Sequence, residues 1–285
     1  MFAIAHTMPF MITNHSDINM AINCFKSLSL GTTNSILILY NQGNMSNDKL
    51  ETFLKTFKLN YVILGEGNNV GIPAARQCCF EYIWENFSDI KYISEIHVDM
   101  IFTSDWTDII INYLENNDEP MLSPGIITNF GELHPENRGN KCIEIPQSYE
   151  EILTLLSNNI SNEICEGFVH PVIHKAEALK TIGGYDIRFL KGKQGYEDDS
   201  ILLGYRYYMG TRSNWRPKTL LSTRVFHYTL AQRLKMKDIY QETNINLNGL
   251  VDQYGAYGLL QLSLIHNSNK FEKIATSMRT SIILT

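Results

Sequence analysis

The sequence lacks several features that mark other classes of protein. No apolar run approaches the length of about 20 residues that spans a bilayer, so we expect no integral membrane segment. The five cysteines are odd in number and never spaced as Cys-x-x-Cys, which favours reduced thiols over disulfides or a zinc site. With a net charge of −6, the 285-residue chain lacks the basic character expected of a nucleic-acid-binding protein. Residues 1–6 show no signal-peptide pattern, and together these features predict a cytoplasmic protein.

Two common glycine motifs for phosphate binding are also absent. Neither Gly-x-x-x-x-Gly-Lys nor Gly-x-Gly-x-x-Gly occurs, which argues against P-loop and Rossmann nucleotide sites. A nucleotidyltransferase that makes sugar nucleotides would carry a glycine-rich loop with arginine and lysine near its N-terminus. Residues 5–16 contain no glycine, arginine or lysine, which disfavours this alternative.

What the chain does contain is an alternation of strand and helix patterns in its first part. The predicted strands are Phe2–Ala5, Ser35–Tyr40, Tyr61–Leu64 and Tyr92–Ile96, and the predicted helices are Asp17–Leu28, Ser46–Phe57, Gly71–Phe87 and Asp105–Leu114. Repeated βα units of this kind form a mostly parallel sheet covered by helices. Ligands of such sheets bind at the carboxyl ends of the strands, so residues 1–118 are interpreted as a nucleotide-binding half.

After Pro120 the pattern becomes mixed. The predicted strands are Met121–Thr128, Cys165–His174 and Thr219–Phe226, and the predicted helices are Ser148–Leu156, Ala176–Ile182 and Glu197–Met209. From about Leu230 the chain is predicted to form amphipathic helix interrupted by glycines. No low-complexity linker is present. We therefore predict an α/β fold with a single compact domain over residues 1–230, in which 119–230 is the mixed half, followed by a C-terminal helical extension at 231–285.

Asp99 follows the fourth predicted strand and precedes a helix that opens near Trp106. A carboxylate at the end of a buried strand is costly unless it caps the next element or holds a cation. Metal-binding pairs often have the form Asp-x-Asp, because strand residues two apart face the same side. Here the pair is His97 and Asp99, so both roles stay open. His227, which ends a later strand, is a further candidate ligand, because neutral imidazole binds metals such as Mn²⁺.

Glu197, Asp198 and Asp199 begin a predicted helix after a loop that contains Gly183 and Gly184. Acidic residues at a helix start interact favourably with the helix dipole, which is a purely structural role. One of these carboxylates is also a candidate general base, which would take the proton of an acceptor hydroxyl as a new bond forms.

The segment from Asn69 to Arg76 is a candidate phosphate site. Gly71 opens a helix with Pro73 in its first turn, and the free N–H groups of a helix start bind diphosphates well. Arg76 lies one turn further on, within reach of a phosphate or a base. An ordinary helix start with an exposed arginine would have the same sequence.

Taken in chain order, these strings resemble a family 2 glycosyltransferase of the GT-A fold over about residues 1–230. The matching strings are Asn41-Gln42-Gly43-Asn44 for the family's Asp-x-Gly-Ser turn, Asn69 to Arg76 for its Asn-x-Gly-x-x-x-x-Arg helix, Asp99 with Trp106 for its metal motif, and His170 to Asp198 for its acceptor-side segment. His227 lies where many GT-A enzymes supply a third metal contact.

The resemblance implies a role for each candidate residue. Asp99 and His227 would hold Mn²⁺ or Mg²⁺ on the donor diphosphate, and Asp198, with Glu197 as second choice, would be the catalytic base. The nucleotide-binding residues would be Thr7, Pro9, Asn41, Asn69, Arg76 and His97. The implied activity is inverting transfer of a hexosyl or deoxyhexosyl group from a UDP- or dTDP-sugar to a saccharide or glycoconjugate hydroxyl, in polysaccharide or glycoconjugate synthesis.

Two substitutions set this chain apart from the family pattern. Asn41 replaces a carboxylate that usually contacts the nucleotide, and His97 replaces the first aspartate of the metal motif. They motivate an alternative, a non-catalytic sugar-nucleotide-binding or scaffold protein derived from the same fold. The presence of Asp99, Glu197 and Asp198 favours the enzyme.

Overall fold

The computed structural model describes residues 2–31, 34–229 and 238–283, with side chains described as far as residue 277. Strands and helices alternate through the first part, because near-continuous apolar runs favour buried strands and a 3.6-residue apolar period favours helices. In chain order these elements are β1 (Ile4–Phe10), α1 (His15–Leu28), β2 (Ser35–Asn41), α2 (Asn47–Leu54), β3 (Tyr61–Leu64), α3 (Ile72–Asn86) and β4 (Tyr92–Glu95). The predicted βα alternation is confirmed.

β1 starts later and ends later than the predicted strand Phe2–Ala5. It extends to Phe10 because it pairs in parallel with β2 over its full length, and with β4 over Ile4–Thr7. Thr7 and Pro9, which we expected in the loop after the strand, therefore lie on β1. Pro9 lies beyond the paired part of β4, so its missing N–H interrupts no hydrogen bond between these two strands.

The rest of the chain contains shorter and more varied elements. They are β5 (Met100–Phe102), α4 (Trp106–Glu115), β6 (Met121–Thr128), β7 (Leu133–His134), α5 (Tyr149–Asn158), β8 (Ile164–Glu166), β9 (Val172–Lys175), α6 (Ala176–Ile182), α7 (Glu197–Tyr208), β10 (Lys218–His227), α8 (Ile239–His266) and α9 (Lys270–Ile283). β5 and β7 were not predicted, because strands of three and two residues carry no readable period. The predicted strand Cys165–His174 is two strands, β8 and β9, on different neighbours.

Within the described residues, ten strands form one sheet in the order β3-β2-β1-β4-β9-β6-β10-β5, with β7 beside β6 and β8 beside β10. The strands β3, β2, β1 and β4 are parallel to one another. β9 is antiparallel to both β4 and β6, and it joins them to a second part in which β6 and β10 are parallel. The carboxyl ends of β1, β2 and β4 thus lie at one edge of the sheet.

The C-terminal helices α8 and α9 share the core of the rest of the chain. The predicted boundary at residue 231 lies outside the described residues. Leu250 and Leu262 of α8 and Phe271 of α9 are buried in the same hydrophobic cluster as Phe80 of α3 and Ile93 of β4. These helices therefore pack as part of the same unit as the sheet. None of the described helices combines the length and the apolar character needed to cross a membrane.

Candidate functional site

A cleft of about 1050 Å³ opens at the carboxyl edge of the parallel strands. Its lining residues lie at or after the ends of β1, β2, β3 and β4, in the loop before α7 and the first turn of that helix, and at the end of β10. They include Pro9, Gln42, Asn69, Asp99, Asp198 and His227. This is the place where open α/β sheets bind their ligands.

Three candidate metal ligands meet on the cleft. One ligand atom from each of His97, Asp99 and His227 lies within 4.8 Å of the other two. Nε2 of His227 is 3.4 Å from Oδ1 of Asp99. Two imidazoles and one carboxylate suit a divalent transition metal. Because Mg²⁺ prefers an all-oxygen environment, this donor set fits Mn²⁺ better than Mg²⁺.

The pairing of β5 with β10 brings these ligands together. Asp99 immediately precedes β5, and His227 ends β10 in register with Met100. The backbone N–H of Tyr228 donates a hydrogen bond to the carbonyl oxygen of Asp99 at 2.9 Å. The family resemblance implied that Asp99 and His227 share a cation, but the strand pairing that brings them together was not predicted, because β5 has only three residues.

The imidazole of His97 is suited to metal binding by its protonation state. Burial lowers the pKa of His97 well below its ordinary value, and the charges of His170 and Arg76 lower it further. A neutral ring offers a nitrogen lone pair, which a protonated ring does not. The ring centroid of His97 lies 5.6 Å from that of His227. The structure thus groups His97, predicted as a nucleotide-binding residue, with the candidate metal ligands.

The two candidate bases lie at the start of α7. Tyr196, the residue before the helix, has a left-handed φ of 61°. For a bulky residue this conformation is strained, and such strain is found often at functional sites. Glu197 is 6% exposed, whereas the side chain of Asp198 is 40% exposed, and both line the cleft. Asp198 is therefore the more accessible carboxylate for an acceptor.

The third acid of this turn has a structural contact. Oδ1 of Asp199 is 2.6 Å from Nε2 of His266, near the end of α8. The contact ties the start of α7 to the C-terminal helices. It distinguishes Asp199 from its neighbour Asp198.

Arg76 lies in the protein interior rather than on the cleft. Its guanidinium is fully buried and donates hydrogen bonds to the carbonyl oxygen and Oγ1 of Thr7 and to the carbonyl oxygen of Ile96. Nε lies 3.2 Å from Oε2 of Glu95, which is also buried. Thr7 is fully buried as well, and its hydroxyl donates to the carbonyl oxygen of Ser94. These contacts join α3 to β1 and β4 beneath the cleft, and they occupy the groups predicted to bind a nucleotide.

The end of β2 and the turn after it contain one interior residue and one cleft residue. Asn41 is fully buried and donates to the carbonyl oxygen of Met45, while its Oδ1 accepts from the N–H of Gly43. The next residue, Gln42, lines the cleft and is 6% exposed. Within the described residues its Oε1 has no hydrogen-bond partner. Sequence reasoning singled out Asn41 and missed Gln42, although both belong to the same polar turn.

Asn69 and Pro9, two more of the predicted nucleotide-binding residues, do line the cleft. Asn69 is exposed, and its Oδ1 accepts from the N–H of Gly71 at the start of α3. Gly71 has φ +88°, and a Cβ at this position would lie 2.6 Å from Cα of Lys193. The glycine therefore allows the loop before α7 to pack against the start of α3.

Glu95 and His170 were not predicted as functional residues, yet they lie directly behind the acids of α7. Burial alone would raise the pKa of Glu95, but its contacts with His170 and His174 and the charge of Arg76 hold that pKa well below its usual range. Glu95 is thus a buried carboxylate anion. The only sequence signal was its position at the end of β4, where the carboxyl edge of the sheet lies.

Comparison with known proteins adds information about the fold. No family model and no curated protein sequence matches the chain. Among solved structures, S. aureus TarS 1–349 is similar with a TM-score of 0.56 and 11% identity, over 93% of this chain and 71% of that one. Its complex with UDP-GlcNAc matches with a TM-score of 0.57 and 10% identity, over 93% and 72% of the two chains. Its complex with UDP matches with a TM-score of 0.55 and 11% identity, over 93% of this chain and 71% of that one.

The two proteins share a fold. At identities of 10 to 12% the likeness concerns the fold, and it extends over nearly all of this chain. The expected α/β architecture is thereby confirmed, with its parallel strands in the first half and its mixed second half. Chemically, the cleft combines a group able to hold a divalent cation with an accessible carboxylate able to accept a proton.

Proposed function

We propose that this protein is a GT-A-type glycosyltransferase, which moves a sugar from a nucleoside diphosphate sugar to a hydroxyl group of an acceptor. Its main support is the arrangement of His97, Asp99 and His227 on the same cleft as the carboxylate of Asp198. The fold shared with TarS, a protein crystallised with UDP-GlcNAc and with UDP, supports a nucleotide sugar as donor. The proposed acceptor is a saccharide or glycoconjugate.

We propose that Asp198 is the general base of an inverting reaction. Asp198 would accept the proton of the acceptor hydroxyl while the hydroxyl oxygen forms a bond to the anomeric carbon. The bond from that carbon to the diphosphate oxygen would break with its electron pair, which releases the nucleoside diphosphate. The exposure of Asp198 supports this assignment, because an acceptor must come within hydrogen-bond distance of the base.

The residues His97, Asp99 and His227 would hold a divalent cation, with Mn²⁺ favoured over Mg²⁺ by the two imidazoles. The cation would supply positive charge against the diphosphate of the donor. Asp99 has a backbone carbonyl that accepts from Tyr228, and this bond fixes the position of the ligand segment. Metal dependence is thus part of the proposal.

Gln42 and Asn69 are the proposed nucleotide-side contacts. The side chain of Gln42 lines the cleft, and its buried amide oxygen has no hydrogen-bond partner in the described part of the chain. Such an acceptor would pair with the imide N–H of uracil or thymine, which agrees with a UDP- or dTDP-sugar donor. A buried polar atom costs free energy unless a ligand or water satisfies it.

A thermal-shift series with UDP, dTDP and GDP, each with Mn²⁺ or with EDTA, tests the donor side of the proposal. A ligand that binds only the folded state raises the melting temperature. We expect stabilisation by UDP or dTDP that is lost in EDTA, and release of that nucleotide from the matching nucleotide sugar. Stabilisation without any release of nucleotide would favour the non-catalytic binding protein. No shift with any of the three would overturn the assignment.

A further inference from the structure

The imidazole of His170 lies between two carboxylates from different parts of the fold. Its Nε2 is 3.7 Å from Oε2 of Glu95, and its Nδ1 is 3.7 Å from Oδ2 of Asp198. The side chain of Glu95 is 1% exposed, that of His170 is 11% exposed, and that of Asp198 is 40% exposed. His170 therefore connects a carboxylate of the interior with the proposed base on the cleft.

Glu95 is held firmly at the interior end of this row. The hydroxyl of Tyr185 donates to Oε2 at 2.6 Å, and Nε2 of His174 lies 2.9 Å from Oε1. Nε of Arg76 lies 3.2 Å from Oε2. These partners come from α3, from β9 and from the loop that follows α6, so the carboxylate of Glu95 is held from three directions.

The ring of His170 is also restricted on its faces. It stacks on His97 with a centroid distance of 4.9 Å, and the ring of Phe168 packs against it edge-on at 4.9 Å. Ring contacts on two sides limit rotation about the side-chain bonds. The two nitrogen atoms remain directed to Glu95 and Asp198.

We propose that His170 is a positioning residue for Asp198, which holds the carboxylate of the general base in the orientation that accepts the acceptor proton. This inference rests on the proposed glycosyltransferase function. A 40% exposed aspartate has several rotamers open to it, and contact with an anchored ring selects one of them. Catalytic groups must be held within about 0.5 Å of the productive geometry, so loss of this contact lowers the rate rather than the affinity for donor.

Two substitutions separate the two ends of the ring. In His170→Asn the amide nitrogen is attached at Cγ, as Nδ1 is, and keeps a donor near Asp198. In His170→Gln the amide nitrogen lies further out, as Nε2 does, and keeps a donor near Glu95. His170→Phe retains a ring for the stack and removes both nitrogens. If His170 positions Asp198, turnover should decrease in the order wild type, His170→Asn, His170→Gln and His170→Phe.

The assay is release of UDP from UDP-GlcNAc with Mn²⁺ and water as acceptor. We expect kcat to fall by at least about tenfold in His170→Phe, with KM for UDP-GlcNAc changed less than about threefold, and kcat of His170→Asn to exceed that of His170→Gln. His174→Gln is the matched control, because His174 also contacts Glu95 but not Asp198. A role limited to supporting Glu95 would lower kcat equally in His174→Gln and overturn the inference.

Crystal structures of the wild type and of His170→Phe supply a second readout, which does not need turnover. We expect one Asp198 rotamer in the wild type and more than one in the variant. An unchanged single rotamer overturns the positioning role, even in a protein that transfers sugar. If the wild type releases no nucleotide from a sugar nucleotide whose nucleotide stabilises it, the proposed transferase function fails, while the rotamers of Asp198 still decide the inference.

Discussion

The side-chain amide of Asn246 forms hydrogen bonds with both the backbone N–H and the backbone carbonyl oxygen of Gly192. Its Oδ1 accepts from the N–H of Gly192 at 2.6 Å, and its Nδ2 donates to the carbonyl oxygens of Gly192 and Gly195 at 3.2 and 2.8 Å. Asn246 is fully buried in α8, whereas the two glycines belong to the loop that leads to Glu197. The C-terminal helix thus holds the loop that positions the candidate bases.

Replacement of Asn246 by alanine is expected to lower the free energy of unfolding by about 1–3 kcal/mol, because it leaves buried backbone groups without partners. Turnover should fall as well, since the loop before Glu197 loses its support. Asn248→Ala is the matched control, because Asn248 lies on the same helix and is exposed. Urea unfolding and UDP release measure the two effects. Equal values for both variants would contradict the assignment.

Arg76→Lys separates a structural role from a nucleotide contact. The buried guanidinium binds Glu95 and the backbones of Thr7 and Ile96, which a lysine cannot reproduce. We expect a loss of about 3 kcal/mol in unfolding free energy, with little change in the dissociation constant for UDP. The exposed Arg188 provides the control variant Arg188→Lys. Weaker UDP binding at unchanged stability would instead support the role implied by the sequence resemblance.

Asp99→Ala should abolish the stabilisation by UDP that depends on Mn²⁺. The substitution removes the carboxylate from the group formed with His97 and His227, and two imidazoles alone hold the cation more weakly. The measurement is a Mn²⁺ titration monitored by electron paramagnetic resonance, with and without UDP. Asp105→Ala, at an exposed position on the same segment, is the control. Mn²⁺ binding of wild-type strength in Asp99→Ala would refute the metal assignment.

Asp198→Asn should lower kcat by about 10²- to 10⁴-fold, because the amide cannot accept a proton. Nucleotide binding should be retained, since Asp198 is not among the candidate metal ligands. The adjacent Asp199→Asn is the comparison, because Oδ1 of Asp199 lies 2.6 Å from Nε2 of His266 and the proposed base is its neighbour. Single-turnover rates and a UDP thermal shift separate chemistry from binding. Near-normal turnover in Asp198→Asn would exclude Asp198 as the base.

Because of His6, we expect the protein to lose stability in mild acid. Burial lowers the pKa of His6 to about 4, whereas an unfolded histidine has a pKa near about 6.5. The folded state therefore takes up the proton less readily, so stability falls as the pH decreases from about 6.5 to about 4, by an amount on the order of 3 kcal/mol.

His6→Asn should flatten this part of the stability curve, since it removes the titrating ring from its place beside Ser94. The exposed His15 gives the control variant His15→Asn, for which we expect the wild-type slope. Urea midpoints measured between pH 4 and pH 7 check the difference. Parallel curves for His6→Asn and the wild type would show that His6 does not contribute.

The carboxyl edge of the sheet is the clearest case in which sequence reasoning succeeded. The strand ends at Tyr40, Leu64 and Ile96 were predicted within one residue, and the cleft lies where they meet. The general region of the site followed from strand direction alone, because parallel strands end at one edge. Individual contacts did not follow, since Asn41 and Gln42 are adjacent in the sequence and only Gln42 reaches the cleft.

By itself, the sequence determined the alternation of strands and helices, the lack of a glycine-rich phosphate loop, and the candidate ligands and bases, because these depend on local periodicity and residue chemistry. Only the tertiary structure decided that β5 places Asp99 beside His227, that Arg76 is an interior residue, and that α8 supports the loop before Asp198. Each of these depends on contacts between residues far apart in the chain. Such contacts are selected by packing and strand pairing, which leave no local pattern.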